Sequence, residues 1–178
     1  MTSRKYIRHL RSAIIIIVII GVVYFLIIDG LTLHKTANRH MSCSFREEDK
    51  QELIMLLDST TSEAEVIKGC NAFVCHNLSF HKNNDLKNGE ANCVGYAQYS
   101  SAILNYAFSH KGLQSKARPV VGQVHLYGFN IHPLAMAILP ENLKSFVKDH
   151  DFVEIQKENG ETVFIDTSLQ DLTGKSFI

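Results

Sequence analysis

Residues 149–166, DHDFVEIQKENGETVFID, decide the fold of this chain because they specify a β-hairpin. Apolar and polar residues alternate in residues 149–155 and again in residues 162–166, and both stretches are rich in β-branched and aromatic side chains, which is typical of strands. The segment Glu158-Asn159-Gly160 between them is a strong turn signal. The pattern therefore predicts two antiparallel strands with His150 at the start of the first and Asp166 at the end of the second.

The length of the turn decides which side chains share a face. A two-residue turn would bury Val153 against Asp166 and would place two glutamates opposite each other. A three-residue loop with Gly160 in the left-handed conformation instead pairs Val153 with Ile165 and sets opposite charges across the strands, so it is the favoured register. In this register His150 and Asp166 are diagonal neighbours on one face, within reach of side-chain contact.

Residues 92–97, NCVGYA, indicate a thiol at the beginning of a helix. Residues 94–110 show a helical apolar stripe, and Cys93 precedes them. Unpaired N–H groups and the positive end of the helix dipole favour a thiolate there. A small apolar residue packed at a helix start would give the same local pattern. Asn92 and the backbone N–H of Cys93 are candidates for stabilising an oxyanion.

Cys93, residues 112–122, residues 150–154 and Asp166-Thr167-Ser168 occur in an order that resembles the transglutaminase-like superfamily, over roughly residues 63–170. The resemblance implies an α+β fold with a papain-like core, in which helices pack on an antiparallel sheet. It also implies a catalytic triad. Cys93 would be the nucleophile, and His150 would be the base that Asp166 orients.

Other residues are candidates for the surroundings of this triad. Phe152 stands two residues after His150, where the family often has Trp. His125, in a predicted strand, and His132, beside a turn, compete with His150 for the role of base. His125 is interpreted first as a core residue or one that supports the site, and His125, His132 and Phe152 are candidates for lining the cleft.

The apolar block from Ala13 to Ile28 follows four basic residues. It predicts a transmembrane helix, so the expected organisation is a basic cytoplasmic N-terminal tail (1–12), an anchor (13–28), a linker (29–44) and a transglutaminase-like domain (45–178). The positive-inside rule then places the catalytic domain outside the cytoplasm. A cleaved signal peptide, which would release a secreted protein, is the alternative for the same block.

Composition narrows the class of function. The formal net charge is zero and no basic stripe follows the apolar block, which argues against nucleic-acid binding. The chain contains neither Cys-x-x-Cys nor His-x-x-x-His, so we expect no metal and no cofactor. Of the four cysteines, Cys70 and Cys75 are interpreted as small buried apolar residues, and the pairing of Cys43 is left open.

Two hypotheses of function remain. The first is a membrane-anchored thiol enzyme that uses Cys93, His150 and Asp166 for acyl transfer or amide hydrolysis, with a peptide or protein as substrate. Its product would be a hydrolysed amide or a cross-link, depending on the acyl acceptor. The second is a catalytically inactive transglutaminase-like module that binds or scaffolds at the membrane. The oligomeric state is left open by the sequence.

Overall fold

The computed structural model describes residues 2–41, 44–138 and 149–175. The helices are α1 (Thr2–Asp29), α2 (Lys50–Asp58), α3 (Glu63–Asn77), α4 (Cys93–His110), α5 (His132–Ile138) and α6 (Thr167–Thr173). The strands are β1 (Leu31–Asn38), β2 (Ser79–Phe80), β3 (Glu90–Ala91), β4 (Lys116–Leu126), β5 (Phe129–Asn130), β6 (His150–Gln156) and β7 (Thr162–Ile165). The predicted α+β arrangement of helices with an antiparallel sheet is thus observed.

Five of the described strands form an antiparallel sheet in the order β1-β4-β6-β7, in which β5 also pairs with β4. Strands β2 and β3 pair in parallel as a separate two-stranded sheet. The long strand β4 lies between β1 and β6 and pairs with both, so it joins residues 31–38 to residues 150–156 in one sheet. Helix α4 packs on β4 and β6, and α3 packs on α4. This arrangement brings the first turn of α4 to the strand that carries His150.

The core lies between these helices and the sheet. Helix α3 buries the five side chains expected from its periodicity, Val66, Ile67, Cys70, Phe73 and Val74. They pack with apolar residues of α4 and with Val153, Ile155 and Ile165 of the hairpin. The hairpin is therefore held by apolar burial on the same face that its register predicted, which stabilises that register over a one-residue slip.

The helix boundaries differ from expectation near residue 44. Ser44 and Glu47 have capping-box spacing, which predicted a helix through Leu57. The chain instead forms a 3-10 turn at Glu47–Asp49 and enters α2 at Lys50. A capping box does form at the next helix, where Ser62 Oγ accepts from Glu65 N and the Glu65 carboxylate accepts from Ser62 N.

The predicted transmembrane anchor at residues 13–28 is wrong. In the part of the chain that the structure describes, no helix combines the length and the hydropathy required to cross a bilayer. The uninterrupted apolar block has 16 residues, which rise only about 24 Å against a hydrocarbon thickness of about 30 Å. The fold class is therefore α+β without the preceding membrane helix, and the predicted single-pass topology, with a cytoplasmic N-terminus and an extracytoplasmic domain, is wrong with it.

Some of the residues expected to lengthen that block have another structure. We expected Leu10 and Ser12 before the block and Gly30 to Leu33 after it to extend the span; Leu10 and Ser12 belong to α1, but α1 ends at Asp29 and Leu31 begins β1. Residues 29–44, expected to be a linker, therefore contain a strand that pairs with β4. Residues 2–12, expected to be a separate tail, belong to α1.

Candidate active site

Cys93 is the first residue of α4, as the sequence predicts. Asn92 is the N-cap: its Oδ1 accepts hydrogen bonds from Val94 N at 3.0 Å and Gly95 N at 3.3 Å. These contacts satisfy two of the N–H groups that a helix start leaves without partners. Cys93 is 8% exposed, so its thiol lies at the edge of the core with a small accessible surface.

Asn92 also holds the loop that precedes it. Its backbone N–H donates to Asn84 Oδ1 at 2.8 Å, and its Nδ2 donates to Lys82 O at 3.3 Å. A Cβ at Gly95 would collide with Asn84 Oδ1 and lie 2.9 Å from Ala91 Cβ, so glycine lets this loop pass close to the helix start. Asn84 and Gly95 were not predicted from the sequence, because a polar loop gives no local pattern for such a close approach. The oxyanion role of Asn92 stays a prediction beside this capping role.

The hairpin has the predicted three-residue loop. Val153 pairs with Ile165 across β6 and β7, and Lys157 N donates to Glu161 O at 2.8 Å to close the loop. Gly160 has a φ of 82°, in the left-handed region that favours glycine. The Lys157 ammonium lies 3.1 Å from the Glu161 carboxylate, so the expected pairing of opposite charges is confirmed.

The same register brings His150 and Asp166 together. His150 Nε2 and Asp166 Oδ2 form a short hydrogen bond and ion pair. Both side chains are almost completely buried, at 0% and 1% exposure. The contact predicted from the turn length is therefore confirmed.

A second set of contacts fixes the other oxygen of Asp166. Oδ1 accepts from Ser168 Oγ at 2.8 Å and from Leu169 N at 3.0 Å, so Asp166 is also the N-cap of α6. Thr167 Oγ1 donates to Asn71 Oδ1 of α3 at 2.5 Å and lies 3.0 Å from Ser100 Oγ of α4. Helix packing thus restrains the carboxylate that faces His150.

The sequence did not predict the contacts of Ser168, Asn71 and Ser100. Asp is a common N-cap residue, so the run Asp166-Thr167-Ser168 could have predicted a helix that begins at Thr167 with Ser168 in its first turn. The contacts of Asn71 and Ser100 depend on how three helices pack together, and no local pattern predicts them.

The charge of His150 depends on both candidate partners. Burial by itself lowers the pKa of His150, but the opposite charge of Asp166, the hydrogen bond to Asp166 and a side-chain hydrogen bond with Cys93 outweigh it, so the pKa is raised above 6.5. Asp166 takes Nε2, and the side chain of Cys93 is near enough to raise the pKa of the same imidazole. Cys93, His150 and Asp166 therefore form one connected group.

This raised pKa predicts a particular dependence of stability on pH. Because His150 binds its proton more tightly in the folded state, its contribution to the free energy of unfolding is complete below pH 6.5 and is lost as pH rises towards the folded-state pKa. We expect the free energy of unfolding, measured by urea denaturation, to fall between pH 6.5 and about 8.5. The His150→Gln variant should lose less over that interval. An equal decline in both proteins would contradict the prediction.

The other candidate histidines lie in a different part of the sheet. His125 of β4 stacks on His34 of β1 with ring centroids 4.1 Å apart, and it pairs with Asn130 of β5. The backbone N–H of His132 donates to Asn130 Oδ1 at 2.8 Å. Within the described residues these contacts join β1, β4 and β5, whereas His150 contacts Asp166 and Cys93. His150 is therefore the histidine with the geometry of a base, and the cleft-lining roles of His125 and His132 stay predictions.

Phe152 is buried beside the candidate triad. Its ring centroid lies 6.4 Å from that of His150 and 5.5 Å from that of Phe164, which it meets edge-on. With an exposure of 1%, Phe152 forms an apolar wall next to the imidazole. Its expected place at the cleft is thus adjacent to His150, and a contact with substrate stays a prediction.

Arg39 and Asp151 form an ion pair that the sequence analysis missed. Arg39 Nε donates to Asp151 Oδ2 at 2.8 Å, and Nη2 donates to Oδ1 at 2.7 Å. Asp151 is fully buried, and Arg39 is 35% exposed. The hydrogen bond to Asp151 raises the pKa of Arg39 against the effect of burial, and the nearby charges of Asp151 and Cys93 raise it further. A guanidinium therefore lies within electrostatic range of the candidate nucleophile.

The other described cysteines have environments that disfavour ionisation. Burial raises the pKa of Cys70 to about 12. Burial and the charge of Asp171 raise the pKa of Cys75 to about 11. Cys43 lies outside the described residues. Among Cys70, Cys75 and Cys93, only Cys93 hydrogen-bonds an imidazole.

Comparison with known proteins adds no relative. No family model, no curated protein and no solved structure matches this chain. The transglutaminase-like resemblance therefore stays a prediction based on the residues themselves.

Proposed function

We propose that this protein is a thiol-dependent acyl transferase or amide hydrolase that uses Cys93, His150 and Asp166. The observation that carries the proposal is the buried His150–Asp166 pair, joined to Cys93 at the N-terminus of α4. A carboxylate that accepts from one ring nitrogen leaves the other nitrogen oriented for proton exchange with a thiol. A papain-like enzyme needs this arrangement.

The proposed reaction has two steps. Cys93 Sγ, as a thiolate paired with protonated His150, attacks the carbonyl carbon of an amide. The C–N bond breaks, His150 gives its proton to the leaving amine, and a thioester on Cys93 remains. Water or a second amine then attacks the thioester and gives its proton to His150, and the C–S bond breaks to restore the thiolate. Water gives hydrolysis, and an amine gives a cross-link.

Labelling of cysteines tests the proposal. We expect a thiol-directed acyl probe at neutral pH to add one acyl group to the wild-type protein and none to the Cys93→Ala variant, as measured by intact mass. Cys75→Ser is the matched control and should label like wild type, because burial raises the pKa of that thiol. All three proteins should carry Cys43→Ser, so that every remaining cysteine has a described environment.

The same experiment separates the enzyme from an inactive binding module. A module that binds or scaffolds has no need of a reactive thiol, so its Cys93 would label no faster than an ordinary cysteine in a peptide. Equal labelling of wild type and Cys93→Ala would overturn the proposal.

A further inference from the structure

An open pocket of about 650 Å³ is lined by residues other than the candidate triad. It is formed by the residues after β1, the start of β4 and Asn105 of α4. Arg39 and Arg118 are both in its wall, and no carboxylate is among the described residues that line it. The volume is in the range of pockets that hold small ligands or a few residues of a peptide.

Each of the two arginines is bound by a buried carboxylate. Asp151 binds Arg39 through two hydrogen bonds. Glu154 accepts from Arg118 Nε at 2.9 Å and from Arg118 Nη2 at 2.5 Å, and Lys35 binds the other Glu154 oxygen. Asp151 and Glu154 are 0% and 7% exposed, whereas Arg39 and Arg118 are 35% and 53% exposed. The pocket is therefore lined by two cations, and their buried counter-ions are not part of its lining.

This arrangement orients the guanidinium groups. A guanidinium has more N–H donors than one carboxylate uses, so each arginine keeps donors for a second acceptor. The ion pairs restrain the side chains and reduce the rotamer entropy that binding would otherwise cost. The net charge of the ion-paired groups at this pocket is positive, because the two cations Lys35 and Arg118 share the single carboxylate of Glu154.

Arg39 links the pocket to the strand that carries His150. Asp151, which holds Arg39, directly follows His150 in β6. Arg39 therefore reaches from the pocket wall to the strand position next to His150, and an extended peptide with its amide at Cys93 would place another of its residues at the pocket. The interaction between the charges of Arg39 and Cys93 is consistent with that proximity.

We propose that this pocket is a specificity subsite that binds a carboxylate of a peptide substrate through Arg39 and Arg118. The proposal rests on the proposed function, since it places the carboxylate on the same peptide as the amide that Cys93 attacks. Carboxylate is the chemical class because the planar donor fork of arginine matches its two oxygens. The source is either an acidic side chain or the C-terminal carboxylate of the peptide.

Three peptides of equal length distinguish these sources. One has a glutamate and an amidated C-terminus, one has glutamine and a free C-terminus, and one has glutamine and an amidated C-terminus. Binding is measured by calorimetry with the Cys93→Ser protein, so that no acylation intervenes. We expect one of the two anionic peptides to bind about tenfold more tightly than the neutral peptide, which is the lower range for a charge-assisted hydrogen bond.

Substitutions in the pocket should remove this preference. We expect Arg118→Gln, and the double variant Arg39→Gln with Asp151→Asn, each to reduce the ratio of anionic to neutral affinity several-fold. The double variant avoids leaving a buried charge without its partner. Lys50→Gln is the matched control, because Lys50 is an exposed cation that pairs with Glu47 elsewhere; it should keep the full ratio.

The outcomes separate this proposal from the proposed function. Equal affinity for all three peptides, or an equal loss in the Lys50→Gln control, would overturn the carboxylate subsite. If the anionic preference is present while Cys93 reacts with no acyl probe, the subsite stands and the enzymatic proposal fails. If Cys93 is acylated without any anionic preference, the enzymatic proposal stands and the subsite fails.

Discussion

Replacing Asp166 by Asn is expected to lower the rate of Cys93 acylation by about 10⁴-fold, the effect seen when a triad carboxylate becomes an amide. Asp166 Oδ2 accepts from His150 Nε2, and its charge is one cause of the raised pKa of that imidazole. An Asn side chain can present an N–H group there instead. It would then favour the imidazole tautomer with its proton on Nδ1, which cannot accept a proton from the thiol.

The fold should survive this substitution. Asp166 Oδ1 caps α6 by accepting from Leu169 N, and Asn is as good an N-cap as Asp. Asp166→Ala is the control, because it removes both roles and should cost about 1 kcal/mol more stability. Acylation is followed by stopped-flow with the acyl probe, and stability by urea denaturation. An Asp166→Asn protein that is folded and acylates as fast as wild type would contradict the assigned role.

Replacing Arg39 by Ala is expected to lower the free energy of unfolding by about 3 kcal/mol. The reason is Asp151, which is fully buried and whose two oxygens both accept from the Arg39 guanidinium. Without Arg39 a charged carboxylate would be left in the interior without a partner. Since Arg39 is partly exposed, water can reach the site, and we expect the lower end of the range known for broken buried ion pairs.

A second substitution checks that explanation. Asp151→Asn in the Arg39→Ala background removes the unpaired charge and should restore a large part of the lost stability. The urea midpoint of the four proteins of this cycle measures the coupling. If Arg39→Ala alone costs less than about 0.5 kcal/mol, as a surface substitution does, the ion pair has no structural importance.

Much of the candidate site could be predicted where local physics decides it. The N-terminus of α4 at Cys93 follows from a loop and an apolar stripe, whereas the capping role of Asn92 was not predicted. The hairpin register follows from Gly160, which accepts a positive φ, and from the pairing of apolar with apolar side chains in Val153 and Ile165. These interactions extend over a few residues, so the sequence contains all of their partners.

Predictions were wrong where a segment's structure depends on residues that are distant in the sequence. Residues 29–44 were expected to be a linker, with residues 36–44 polar, but β4 supplies the hydrogen bonds that make residues 31–38 a strand. The apolar block at residues 13–28 was interpreted as a membrane span, and the chain enters β1 at Leu31, within the residues expected to lengthen the block on its C-terminal side. The strand state of such a segment is decided by its partner rather than by its own propensity.

Local patterns were sufficient to predict the helix that presents Cys93 and the hairpin register that joins the imidazole of His150 to the carboxylate of Asp166. The groups that surround these three residues depend on long-range packing. Arg39 meets Asp151 over 112 positions of the chain, and Thr167 meets Asn71 over 96. Such contacts form because the sheet order and the helix packing bring remote segments together, and buried polar groups then require partners wherever packing places them.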